Sequence, residues 1–306
     1  MELSEVCELI VDCEHKTAST QTEGYPSIRT PNIGRGYFLL DGVNRVSEET
    51  YRLWTRRAVP RFGDLIMARE APVGNVAMIP QGLRPCLGQR TLLIRPRRSK
   101  VDPRYLVYLL VGDEVQNMIH AMTNGVTVPH LNMEDVRSLP LPPLPPLPTQ
   151  RKIAAILSAY DDLIENNLRR IKILEEMAQN LYREWFVKFR FPGHEQARFV
   201  DSPLGRIPEG WEVDTIENTF VILGGGTPSK VVPEYWDEGT INWYSPTDLT
   251  AAGSMFMERS RNQISDLGLR KSSARLFPPF SVMMTSRATL GVISINTTEA
   301  CTNQGF

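Results

Sequence analysis

The sequence predicts an α+β fold in which two β-rich domains are separated by a long helix that forms a coiled-coil seam. Three observations carry this. Short apolar runs broken by turn residues occupy both ends of the 306-residue chain, the pattern of strands and their connections. Motifs of the first hundred residues recur after residue 211 at a nearly constant offset, which points to a duplicated domain. Between the copies lies an apolar stripe spaced by threes and fours over five heptads.

Composition sets the class. Hydrophobic residues are 42% and charged residues 23% of the chain, an ordinary globular balance. A length of 306 residues is at the upper limit of what one core organises. No apolar run approaches the roughly 18 residues needed to span a bilayer, so no membrane contact is expected. The N-terminus, Met1-Glu2-Leu3-Ser4-Glu5, is acidic where a signal peptide is basic. Cys7, Cys13, Cys86 and Cys301 form no Cys-x-x-Cys pair, which argues against a disulfide framework or a metal site and for a cytoplasmic protein with reduced thiols. The net charge of −1 excludes a generally basic nucleic-acid protein. It conceals an asymmetry, because residues 24–104 hold 15 Lys and Arg against 6 Asp and Glu, a net of +9. Nearly all are Arg, whose planar fork matches phosphate oxygens, so a phosphate-contacting surface is favoured over a merely solvated face.

In chain order, residues 64–68, 75–79 and 91–94 read as strands. Asp102 and Pro103 start a helix as N-cap and first residue. Leu106, Leu109, Leu110, Ile119 and Met122 form its apolar side, and Asn124-Gly125 its end. Residues 140–148 hold six prolines in nine positions, a stiff polyproline-II segment rising ~3.1 Å per residue. Its leucines either lie against a neighbouring domain or present the run to an SH3-type groove. Thr149 then caps a helix over 150–187, about 55 Å long at 1.5 Å per residue. Its seam reads Ile153, Leu157, Tyr160, Ile164, Asn167, Ile171, Leu174, Ala178, Leu181 and Trp185. So apolar a stripe needs a partner helix, and Asn167 is the residue type that fixes register in such a seam. The turn-rich run Leu204-Gly205-Arg206-Ile207-Pro208-Glu209-Gly210-Trp211 opens the second β-rich region. The expected domains are 1–139, an arm and spacer helix over 140–192, and 193–306.

The repeat rests on three matches. Arg69-Glu70-Ala71-Pro72-Val73-Gly74 resembles Ser286-Arg287-Ala288-Thr289-Leu290-Gly291, at an offset of 217. Cys86-Leu87-Gly88-Gln89-Arg90-Thr91 resembles Cys301-Thr302-Asn303-Gln304-Gly305-Phe306, and Ile28-Arg29-Thr30-Pro31 resembles Trp243-Tyr244-Ser245-Pro246, both at 215. Catalytic motifs are absent. Gly224-Gly225-Gly226-Thr227-Pro228-Ser229-Lys230 fails as a phosphate loop, since Ser229 stands where the second glycine is required. No Asn-Pro-Pro-Tyr or Asp-Pro-Pro-Tyr motif for base methylation occurs. His15, Cys7 and Cys13 fit no common zinc spacing, and the carboxylates of the long helix read as a solvated face.

Several of these runs carry a family resemblance. Leu139-Pro140-Leu141-Pro142-Pro143-Leu144, Gln150-Arg151-Lys152-Ile153-Ala154-Ala155-Ile156-Leu157 and Tyr160-Asp161-Asp162-Leu163-Ile164 resemble the conserved region of type I restriction–modification specificity subunits. So do residues 204–211, Gly225-Gly226-Thr227-Pro228-Ser229 and Asn303-Gln304-Gly305-Phe306. The resemblance implies a non-catalytic subunit whose two target-recognition domains each read half of a split sequence in double-stranded DNA. It implies helices that dock methyltransferase subunits, a restriction/motor subunit that joins through the complex, and ATP and S-adenosylmethionine bound by those partners. No cofactor is expected on this chain. A complete member has a second conserved helix after the second domain, so that domain is expected to be incomplete at Phe306, and two chains could pair their long helices. The expected DNA-contacting residues are Arg29, Arg35, Arg69, Gln89 and Arg90 in the first domain, with Lys230, Tyr244, Arg287, Asn303 and Gln304 in the second. Gln can pair with adenine and Arg with guanine in the major groove. The alternative is an adaptor that offers its proline run to protein partners and dimerises through the coiled coil.

Overall fold

The computed structural model describes residues 1–123, 129–287 and 289–306. The chain divides into two units, Met1–Arg183 and Glu184–Phe306.

The first unit begins with a 3-10 turn, Leu3–Val6, and strand β1, Cys7–Asp12, followed by β2 (Tyr25–Ile28), β3 (Arg45–Val46) and helix α1 (Glu48–Trp54). Strands β4 (Leu65–Ala68), β5 (Val76–Met78), β6 (Cys86–Leu87) and β7 (Thr91–Pro96) complete its sheets. One sheet runs β1-β7-β4-β5 and the other β3-β2-β6. In the first, all contacts are antiparallel, and β4 lies between β7 (Leu65↔Ile94, Met67↔Leu92) and β5 (Leu65↔Met78, Met67↔Val76). In the second, β2 pairs antiparallel with β3 and parallel with β6.

The helix expected after Asp102 forms as two. Helix α2 (Pro103–Val111) starts where expected, with the Asp102 carboxylate accepting from the N–H groups of Arg104 and Tyr105. Gly112 is extended (ψ 147°) and breaks the run, and α3 (Asp113–Met122) restarts with Asp113 and Glu114 in its first turn, favourable to the helix dipole. Buried Gln116 of α3 donates back to the Leu110 carbonyl that the break exposes, at 2.7 Å. The Asn124-Gly125 stop lies outside the described residues. Leu106, Leu110, Val115 and Ile119 pack with Leu65, Met67, Leu92 and Ile94 into one core. A short helix, α4 (Met133–Arg137), leads to the proline run. That run is not a displayed ligand. Leu139 and Leu141 are buried in the first-unit core, Leu144 packs against it, and the Leu141 N–H donates to the Met1 carbonyl at 2.8 Å. The adaptor reading therefore loses its binding element.

Helix α5 runs Leu147–Tyr182, 36 residues, followed by a π-helical turn at Arg183–Val187. It starts three residues before the expected Gln150, because Pro148 suits the first helical turn, whose N–H groups lack partners anyway. The face packed on the first unit is Gln150, Ala154 and Ser158, all buried. The heptad stripe points elsewhere: Ile153, Leu157, Tyr160, Ile164, Ile171, Leu174 and Leu181 are 36–64% exposed.

The second unit opens with a hairpin of β8 (Phe199–Ser202) and β9 (Gly205–Pro208), then helix α6 (Ile216–Thr219). Next come β10 (Ile241–Tyr244), α7 (Pro246–Ala251), β11 (Phe256–Met257), β12 (Asn262–Ile264) and α8 (Asp266–Arg270). Strands β13 (Val282–Met284), β14 (Ile293–Asn296) and β15 (Ala300–Thr302) close it. The sheet β12-β10-β15 repeats β3-β2-β6, with β10 antiparallel to β12 and parallel to β15. The pair β13–β14 repeats β4–β5, with Val282↔Ile295 and Met284↔Ile293. Each of these four positions is its first-unit counterpart plus 217. The two units are therefore built on one strand plan.

Candidate nucleic-acid interface

In the first unit three loops meet beyond the end of β2. The Gly88 N–H donates to the Ile28 carbonyl at 2.7 Å, and the Arg69 N–H donates to the Arg90 carbonyl at 2.8 Å. Asn75 Nδ2 donates to the Ile33 carbonyl at 2.8 Å. Gly88 makes the approach feasible, since a Cβ there would stand 2.7 Å from the Ile28 oxygen. Arg29, Gln89 and Arg90 are thereby gathered on one loop cluster, with Arg29 exposed and Gln89 half-buried.

Three of the expected contact residues are otherwise engaged. Arg69 is only 15% exposed, donates from Nη1 to Asp12 at 2.5 Å and from Nε to the Leu131 carbonyl at 2.9 Å. It is a partly buried structural ion pair. Arg90 sits in the left-handed region (φ 65°) with its guanidinium paired to Glu70. Arg35 is tied to the end of α2 through the Val111 carbonyl at 2.6 Å and to Asp113 at 3.1 Å. Asp12 also lies 3.1 Å from His15 Nε2, and its carboxylate, the Cys13 thiol and the His15 ring bring ligand atoms within 4.8 Å of one another. The Arg69 guanidinium already occupies the Asp12 carboxylate, and burial pushes the Cys13 thiol up, which keeps it protonated. The arrangement is that of a satisfied polar cluster rather than a ligand set.

The second unit repeats this geometry with different side chains. The Asn303 N–H donates to the Tyr244 carbonyl at 3.0 Å and the Ser286 N–H to the Gly305 carbonyl at 2.7 Å, the counterparts of the Gly88 and Arg69 backbone bonds. The Gly226 N–H donates to the Thr302 carbonyl, and Thr227 Oγ1 donates to Gln304 Oε1 at 2.5 Å, which adds the glycine-rich loop to the cluster. Arg287, Gln304 and Lys230 are exposed on these loops. Asn303 instead shapes its own turn, its Oδ1 accepting from the Gly305 N–H at 2.8 Å. Where the first unit pairs Glu70 with Arg90, the second has Arg287 and Gly305, so the Arg287 charge has no ion-pair partner among the described residues.

Tyr244 corrects the expectation made for it. It is fully buried, and its hydroxyl donates to the Met257 carbonyl at 3.1 Å. The proline-anchored offset of 215 sets Tyr244 against exposed Arg29, whereas the ladder sets it one residue earlier. Ile28 pairs Leu87 just as Tyr244 pairs Thr302. A one-residue shift in a strand exchanges the inner face for the outer, so Tyr244 takes the place of buried Ile28. Trp185 lies in the π-helical turn that follows α5, with its ring 6.5 Å from that of Phe186. Asn167 lies exposed on the stripe.

Known proteins share this plan. A family model described as the type I restriction modification DNA specificity domain matches residues 1–176 and 208–306. The type I restriction enzyme MjaIX specificity subunit of Methanocaldococcus jannaschii is 34% identical over 122 residues, 40% of this chain and 27% of that protein. The putative type I restriction enzyme MjaX specificity subunit of the same organism is 30% identical over 248 residues, 75% of this chain and 55% of that protein. This chain thus spans about half or less of the length of these relatives. The crystal structure of a type I restriction-modification system S subunit from M. genitalium superposes with a TM-score of 0.56 at 15% identity, over all of this chain and 70% of that one, a likeness of fold. Because the family model matches two stretches that together make up most of its length, the chain belongs to the type I restriction modification DNA specificity domain family.

Proposed function

We propose that this chain is a non-catalytic specificity polypeptide that reads a bipartite site in double-stranded DNA, one half per unit, in the cytoplasm. The observation that supports it is the duplicated loop cluster, built by equivalent backbone hydrogen bonds but carrying different exposed side chains. A shared scaffold with divergent loops suits two different half-sites, because phosphate contacts position a domain while a few side chains read base edges. In this reading Arg29 and Gln89 face DNA from the first unit, and Lys230, Arg287 and Gln304 from the second. Arg69, Arg90 and Asn303 hold the loops. The outward surface of α5 docks methyltransferase subunits, through which a restriction/motor subunit joins, and ATP and S-adenosylmethionine are bound by those partners. A second copy paired antiparallel along the exposed stripe would bring the two Asn167 side chains, near the helix middle, within reach of each other. The test is duplex binding against salt. Arg29→Ala with Arg287→Ala should weaken affinity and lower the log–log salt slope by ~1 per lost phosphate contact. A folded double variant with unchanged affinity and slope refutes the assignment.

A further inference from the structure

Beside the turn that carries Arg29 stands a small apolar edge. Asn32 joins the two: its Oδ1 accepts from the Arg29 N–H at 3.1 Å, and its Nδ2 donates to the Leu39 carbonyl at 3.2 Å. The Leu39 N–H donates in turn to the Asn32 carbonyl at 2.9 Å. One step along, Ile33 bridges Phe38 antiparallel, and the Gly34 N–H donates to the Tyr37 carbonyl at 2.8 Å. Side chains alternate along such an extended ribbon. Phe38 packs against the core cluster that holds Ile33 and Ala77. Tyr37 and Leu39 therefore share the outer side, 58% and 48% exposed.

The edge is held in place. The Gly36 N–H donates to the Val76 carbonyl at 2.9 Å, which ties the turn to β5, and Arg35 ties it to the end of α2. Gly34 lets the Tyr37 ring lie over its backbone, since a Cβ there would stand 2.7 Å from two ring carbons. The second unit repeats the position. Gly36 bridges Ala77 in parallel, so the next rung of that ladder sets Tyr37 beside Met78. In the second unit Phe256 pairs in parallel with Ile295, the counterpart of Met78. Phe256 is exposed like Tyr37, and Met257 after it turns inward as Phe38 does. An exposed aromatic at the same place in both copies belongs to the shared plan, yet core packing gives it no purpose.

We infer that Tyr37 and Leu39 select thymine in the first unit's half-site by packing on its C5-methyl group in the major groove. The inference rests on the DNA-reading role given above to the loop cluster. The thymine methyl is the apolar group that base pairs display in that groove, and apolar side chains are what distinguish it. The groove also admits a two-stranded ribbon, which is the form of this edge. From Ile28 to Leu40 the chain carries Arg29 and Arg35 and no acidic residue, so nothing on the segment repels a phosphate backbone. A protein seated here would have to desolvate the neighbouring Arg29 guanidinium, whereas a duplex supplies a phosphate for it. Arg29 and Gln89 then act through charge and hydrogen bonds, and Tyr37 and Leu39 add a contact that neither polar side chain can make.

Uracil-substituted duplexes test this on the full chain. Duplexes that the chain retains are selected from a random-sequence pool, and the tightest binder is resynthesised with uracil in place of thymine, position by position. Affinity should fall about fourfold for each contacted methyl, the transfer free energy of one buried carbon, at positions within a single half-site. Tyr37→Ala with Leu39→Ala should bind the thymine and uracil duplexes alike, with the log–log salt slope unchanged. Tyr37→Phe should keep the preference. Should the double variant not fold, Tyr37→Ala and Leu39→Ala singly give the same readout. Equal affinity of the unaltered chain for both duplexes overturns the inference, as does a selected site without thymine. So does a preference that survives in folded Tyr37→Ala, Leu39→Ala chain. Those outcomes leave the DNA-reading role standing if Arg29→Ala with Arg287→Ala still weakens binding, whereas a chain that retains no duplex from the pool overturns both.

Discussion

Gln150 locks the long helix onto the rest of the first unit: its side-chain oxygen accepts from the Asp102 N–H at 2.9 Å, and its Nε2 donates to the Pro145 carbonyl at 2.8 Å. Asp102 is also the N-cap of α2. The start of α2, the end of the proline run and the first turn of α5 are therefore one hydrogen-bonded knot around a side chain that is 1% exposed. Gln150→Ala removes the partner of buried backbone groups and should cost about 1–3 kcal/mol in urea unfolding, with DNA affinity little changed once folded.

Arg69 and Arg29 should separate cleanly. Arg69→Ala leaves the Asp12 carboxylate, itself only 15% exposed, without its closest cation. Breaking such a partly buried, hydrogen-bonded pair should cost about 1–3 kcal/mol, so the midpoint of unfolding should fall. Arg29→Ala at an exposed position should change stability by less than ~0.5 kcal/mol and act on duplex binding alone. Comparable stability losses in both variants would contradict the division into structural and contact arginines.

How much of this was legible in the sequence follows from what each residue answers to. The strands around Leu65, Val76 and Thr91, the Asp102 cap and the 217 offset are local or additive signals, and all read correctly. The break at Gly112 is not legible, because a lone glycine is tolerated within a helix, and only the docking of Gln116 onto Leu110 reveals its role. Tyr244 was misplaced because a proline match fixes loop alignment, not ladder register. The pairing of Arg69 with Asp12 joins positions 57 apart, and no spacing rule foretells it. The apolar stripe of α5 is legible as a spacing, yet which face packs on the rest of the first unit is decided by polar Gln150 and Ser158, whose burial no hydropathy pattern announces.

Alkaline pH should destabilise the protein. Burial, with a smaller contribution from the Asp248 charge, pushes the Tyr244 hydroxyl up to about 12 from 10.0. Burial likewise pushes the Cys301 thiol up to about 12 from 9.0, and the Cys7 thiol to the same value against the opposing charge of Arg97. An acid with a raised folded pKa holds its proton more tightly when folded. Its contribution is complete below the unfolded pKa and is lost as pH rises through the folded value. Thermal stability should therefore decline from about pH 9 towards pH 12, and Tyr244→Phe should flatten the upper part of that decline. At pH 8 the four buried cysteines should resist a disulfide-forming thiol reagent until the chain unfolds, because the thiolate is the reactive form.

The stripe on α5 gives the last test. Leu174 is 61% exposed, so Leu174→Ala forfeits little buried area, and alanine is the better helix former. In dilute chain its stability cost should stay below ~0.5 kcal/mol, far from the ~2–5 kcal/mol of a buried leucine. Ala154, on the same helix, is 3% exposed against the first unit, and Ala154→Leu should cost ~1–3 kcal/mol by overpacking. The ranking reverses the usual one, in which the heptad leucine matters and the off-stripe alanine does not. It should hold only while the stripe is bare. Raising the chain concentration until scattering reports a dimer, or adding an apolar partner helix, should bring the Leu174→Ala cost up into the buried range and leave that of Ala154→Leu where it was. A Leu174→Ala cost that is large at every concentration would mean the stripe is already covered within one chain. A cost that stays small after association would mean that the partner binds elsewhere.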